Sequence, residues 1–147
     1  MQQNTRETPY VIHFRDIQEA DVPLVGHKGA RLAELVQAGL PVPPGFCLTT
    51  AAYQALLSHN GLSHVLDTKD VAKIRQAILD AELPQAVVWD VARAYRELGG
   101  GSEGDIAVAV RSSATTEDLD QASFAGQYDS FLNVIGLPQV LNSIRAC

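Results

Sequence analysis

Apolar positions recur along this chain at two spacings, one suited to strands and one to helices. Tyr10-Val11-Ile12-His13-Phe14 is rich in aromatic and β-branched residues and predicts a strand. His13 takes an alternating position in it and reads as a surface or edge residue. After a polar stretch and Val25-Gly26-His27-Lys28-Gly29, Leu32, Leu35 and Val36 fall at helical spacing, and Gly39 suits a helix stop. The three prolines of Leu40-Pro41-Val42-Pro43-Pro44-Gly45 impose an extended path. Phe46 to Thr49 predicts a short strand. Thr50 then suits an N-cap for a helix carrying Tyr53, Leu56 and Leu57, ended by Asn60-Gly61. Thr68 is placed to cap a helix with Val71, Ile74 and Ile78 on one face. Pro84 suits the first position of another, with Val87, Val88, Val91 and Tyr95 aligned and Gly99-Gly100-Gly101 breaking it. Ile106 to Val110 is apolar at every position and predicts a central strand buried on both faces. Arg111 to Gly126 is small, polar and acidic and predicts a loop. A β-prone run spans Tyr128 to Ile135, and Pro138 opens a last helix with Val140, Leu141 and Ile144 inward. That pattern is cut off at Cys147, which predicts a piece of a longer protein.

Composition narrows the class. The chain has 147 residues and is 46% hydrophobic, enough for a globular core and too apolar for a disordered acidic tail. Residues 1–9 read as a flexible tail and 10–147 as one unit. The formal net charge of −6 argues against nucleic acid or an anionic membrane as a partner, while leaving room for a local cationic site. Cys47 and Cys147 lie far apart, without a zinc-type cluster, so no metal site is expected and a reducing compartment is the simpler reading. No apolar run is long enough to span a bilayer, and the polar N-terminus lacks a signal-peptide core, so the expected location is cytoplasmic.

Three segments carry candidate chemistry. In Gly26-His27-Lys28-Gly29 a lysine stands at a helix start, where the backbone already presents positive partial charge. A phosphate in front of it would resolve the conflict; a glycine turn with a solvated lysine is the plainer alternative. Arg111-Ser112-Ser113 follows a strand directly, where a guanidinium and two hydroxyls could clamp a phosphate. The alternative is an arginine paired with Glu117, Asp118 or Asp120 in its own loop. In Ser123-Phe124-Ala125-Gly126-Gln127, Phe124 reads as packed, and Gly126 allows either a turn or a close approach to a ligand. Gly99-x-Gly101-x-x-Gly104 matches a dinucleotide fingerprint in letters only, because a helix precedes it and a strand follows. His59 and His64 read as surface residues, and Trp89 as partly exposed.

Two long stretches resemble a known family. Gly26 to Leu35, with Gly39-Leu40-Pro41-Val42-Pro43-Pro44-Gly45-Phe46 and Thr49-Thr50, looks like the opening of the ATP-binding domain shared by pyruvate phosphate dikinase, phosphoenolpyruvate synthase and rifampicin phosphotransferase. Val108 to Asp118 and Ala122 to Gln127 are similar to its second signature. The resemblance implies an α/β (α+β) chain forming the first lobe of an ATP-grasp-like nucleotide-binding domain. It implies ATP contacts at Lys28, Arg111, Gly126 and Ser130. It also implies magnesium ligands, a second lobe and a phosphohistidine domain that lie outside these residues, and hence no catalytic or metal residue among them. In the parent enzyme ATP would phosphorylate that histidine, and the group would pass to pyruvate or a related acceptor. His27, Thr116 and Ser130 depart from a more usual glycine, alanine and threonine. A rifampicin-modifying phosphotransferase and a non-catalytic truncated binding module are the rival expectations.

Overall fold

The computed structural model describes residues 7–101, 105–113 and 130–147, and the chain there forms two small antiparallel sheets held together by helices. Strand β1 (Val11–His13) pairs with β2 (Phe46–Leu48), and β3 (Ala107–Arg111) pairs with β4 (Ser130–Ile135). Helix α1 (Val22–Gln37) connects β1 to β2. Helices α2 (Thr50–His59), α3 (Val71–Asp80) and α4 (Gln85–Leu98) fill the span from β2 to β3, and α5 (Leu137–Ala146) follows β4. Of the expected tail, residues 1–6 lie outside the described residues. Its last residue is tied down, since the Thr49 hydroxyl donates to the Pro9 carbonyl at 2.6 Å.

The main core lies where α2, α4, α5 and β4 meet. Ala52, Val87, Val91, Tyr95, Val134 and Val140 are buried there, against partly buried residues of both sheets. The α4 stripe is the one its spacing predicts. Tyr95 adds a polar tie that spacing does not reveal. Its hydroxyl donates to Ile106 O (2.6 Å) and accepts from Ile106 N (3.1 Å) and Gly136 N (3.0 Å), joining α4 to the start of β3 and the start of α5. One donor and two acceptor positions use the full capacity of a phenolic oxygen.

Several expectations are corrected. The run Ile106 to Val110 is not a strand buried on both faces. It pairs with β4 alone among the described residues, with Val108 and Val110 half-buried and Ala107 and Ala109 exposed. One face of the resulting ribbon packs on the core, as antiparallel pairs allow. Between the pairs Val108↔Val134 and Val110↔Phe131 the register slips, and Asn133 there adopts φ 55. Asparagine tolerates that left-handed conformation. Leu35 does not face the core; it is 39% exposed, and the buried side of α1 is formed by Val25, Gly29 and Ala33. The reason is close approach. A Cβ on Gly29 would stand 2.6 Å from Cys47 Sγ, so α1 lies on β2 through its small residues. Smaller shifts concern caps. Thr49 rather than Thr50 precedes α2, and Pro84 sits at the cap of α4 rather than inside it. Asp70 caps α3, accepting from Lys73 N at 3.2 Å, while Thr68 supports the turn before it. Val71 is exposed rather than inward, as is Tyr53 on α2. Trp89 is 64% exposed.

Candidate functional site

Helix α1 is broken at Gly26. Its φ of 75° and ψ of 167° lie in a region essentially closed to side-chain-bearing residues. The helix therefore starts anew at His27, with Lys28 and Gly29 in its first turn. In an unbroken helix Gly29 N–H would donate to the Val25 carbonyl. Here the Ser113 hydroxyl stands between them. It accepts from Gly29 N at 3.1 Å and donates to Val25 O at 2.6 Å. One residue earlier, the Ser112 carbonyl accepts from Lys28 Nζ at 2.9 Å. Two residues just beyond β3 thus grip the break in α1 from more than eighty positions away in sequence.

This places the candidate residues as follows. Arg111 is the last residue of β3, and its register partner is Ser130, the first residue of β4. Directly opposed residues of an antiparallel pair project on the same face, with Cβ atoms about 5 Å apart. Both are exposed. Lys28 is half-buried and reaches Ser112, the neighbour of Arg111. Lys28 Nζ therefore reaches the end of the β3–β4 ribbon at which Arg111 and Ser130 stand opposite each other in the register. Gly126 lies outside the described residues, as do Phe124 and the acidic Glu117, Asp118 and Asp120, so the alternative of an ion pair within that loop is not addressed by the geometry. Among the described residues no group of His, Cys, Asp and Glu has the arrangement to hold a metal ion.

The sequence reading of Ser113 as a phosphate-clamp hydroxyl is revised. Its single proton is committed to Val25 O, so it has none to donate to an anion. The conflict of a lysine at a helix start is eased by the partial negative charge of the Ser112 carbonyl. Beneath the break, burial pushes the Cys47 thiol up to about 11, so it stays protonated at neutral pH and acts as a packing group. No disulfide joins Cys47 to Cys147. His13, expected at an edge, makes an ion-pair contact with Glu97 (3.0 Å) and stacks edge-on against Phe46, remote in the fold from the ribbon end. His59 and His64 are exposed, as their setting suggests.

A cleft of about 660 Å³ is lined by Tyr10, Leu24, Thr50, Gln54 and Asp90 and by residues 7–9, not by Lys28, Arg111 or Ser130.

Residues 22–147 match the model of the family described as pyruvate phosphate dikinase, AMP/ATP-binding domain. The chain belongs to this family. Among similar proteins is a probable phosphoenolpyruvate synthase of Methanothermobacter thermautotrophicus, 41% identical over 94% of this chain and 22% of the relative. The phosphoenolpyruvate synthase of Neisseria meningitidis serogroup B is 44% identical over 92% of the chain and 20% of the relative. The rifampicin phosphotransferase of Bacillus cereus is 39% identical over 94% of the chain and 17% of the relative. The chain thus spans about a fifth of the length of these curated relatives. No helix among the described residues is long and apolar enough to cross a membrane.

Proposed function

We propose that this chain is the first lobe of an ATP-grasp-like domain and that Lys28, Arg111 and Ser130 hold the phosphates of ATP. The observation that carries the reading is the hydrogen bond from Lys28 Nζ to Ser112 O, which brings the first motif's lysine beside the second motif's arginine. The residues present suit a polyanion. A guanidinium offers paired donors, an ammonium a point charge, and the Ser130 hydroxyl a further donor on the same ribbon face. The restarted helix adds partial positive charge beside them. Gly126 is carried to this role by the motif alone.

ATP would supply the phosphoryl group. The part of this chain is to bind and orient the phosphates and to offset their charge as it shifts, the main protein contribution in phosphoryl transfer. Magnesium would be held by ligands elsewhere in the parent protein. The phosphoryl group would go first to a histidine on another domain and then to pyruvate, as in a phosphoenolpyruvate synthase. The 39% identity to a rifampicin phosphotransferase supports a second acceptor, the antibiotic, served by the same ATP site.

The test is Arg111→Ala in the protein expressed from the complete reading frame. A charge-assisted contact contributes roughly 1.5–3 kcal/mol, so kcat/KM for ATP falls about ten- to a hundredfold. Unchanged ATP kinetics would remove the clamp. Assaying pyruvate against rifampicin as acceptor separates the two acceptor readings.

A further inference from the structure

The break in α1 is held open by a side chain that belongs to another element. Helix interruptions of this kind arise where a side chain enters the i→i−4 ladder. The Ser113 hydroxyl does so here, occupying the place of the direct Gly29 N–H to Val25 carbonyl bond with one bond to each. Gly26 could return to helical φ and ψ at no steric cost, because glycine adopts both conformations readily. The backbone of Gly26 therefore does not by itself require the break. A helix that closed across it would turn Lys28 through the angle the break now sets, and would separate its ammonium from Ser112 O.

We infer that Ser113 is a positioning residue, which sets the direction of Lys28 by propping α1 open, and that Gly26 is its obligatory counterpart. The inference rests on the proposal that Lys28 meets phosphate. It assigns to Ser113 a task distinct from touching the nucleotide. Ser112 and Ser113 act on the same lysine by different means, the first through its carbonyl and the second through the helix that carries the lysine.

The experiment measures dissociation constants for ATP and for adenosine, which has no phosphates, in the protein expressed from the complete reading frame. Ser113→Ala, Ser113→Thr, Gly26→Ala, Lys28→Ala and the double variant Ser113→Ala/Lys28→Ala are compared. Alanine at residue 26 cannot hold the present backbone conformation, so it closes the helix by an independent route. The expected result is ATP binding weakened about tenfold by Ser113→Ala and by Gly26→Ala, with adenosine binding changed by less than about twofold. Ser113→Thr, which keeps the hydroxyl, restores ATP binding. The double variant is no weaker than Lys28→Ala alone, because both changes remove one interaction. If Ser113→Ala does not fold, Gly26→Ala and Ser113→Thr carry the same comparison. Positioning by Ser113 is overturned if Lys28→Ala weakens ATP binding while Ser113→Ala and Gly26→Ala do not, or if they weaken ATP and adenosine alike. Loss of ATP affinity in neither Lys28→Ala nor Arg111→Ala would overturn the phosphate reading itself, and this inference with it.

Discussion

At the scale of single residues, the site depends on close contacts that a letter pattern cannot express. Gly29 is required less for its freedom of backbone than for the absence of a side chain, since a Cβ there would meet Cys47 Sγ at 2.6 Å. Gly29→Ala gains helix propensity of about 1 kcal/mol but forces overpacking that typically costs about 1–3 kcal/mol. The expected outcome is net destabilisation by up to about 2 kcal/mol in urea unfolding. In a Cys47→Ala background the obstruction is gone, and the same substitution becomes neutral or stabilising. An equal cost in both backgrounds would show that the thiol is not what Gly29 makes room for. Gly29 stands in the sequence as part of the motif around Lys28. In the structure it meets protein, the Ser113 hydroxyl on one side and Cys47 on another.

At the scale of elements, Tyr95 joins three of them through one oxygen. Tyr95→Phe leaves the buried Gly136 N–H and the Ile106 N–H without this partner. Leaving a buried donor unsatisfied costs about 1–3 kcal/mol, so the urea midpoint should fall accordingly, with little change in the far-ultraviolet spectrum. An unchanged midpoint would mean that water replaces the phenol. The helical stripes of α2, α4 and α5 were readable because each is set by the local alternation of apolar and polar residues. The sequence also located β1 to β4, but not the setting of β3. Its run of apolar residues suggested burial on both faces, whereas burial depends on partner strands far away in sequence. A finer signal was present, since valine and alanine alternate along β3 and the alanines are the exposed set. The helical turn Val22–Val25 ahead of Gly26 was read as part of a polar stretch. Pro23 stands in its first turn, where proline is well tolerated. No local pattern could have announced that Ser113 would enter a helix more than eighty residues earlier.

At the scale of the whole molecule, a net charge of −6 coexists with a lysine that reaches the end of β3, the strand that Arg111 closes. The Lys28–Ser112 hydrogen bond joins the segment of the first motif to that of the second. The family match extends over 22–147, and the chain covers about a fifth of the length of its full relatives. The most direct measurement is a crystal structure of the protein from the complete reading frame with a non-hydrolysable ATP analogue. The account predicts phosphate oxygens within about 3 Å of both Lys28 Nζ and the Arg111 guanidinium, with Ser113 still bridging Val25 and Gly29. A triphosphate seated elsewhere, with these two side chains turned away from it, would contradict it.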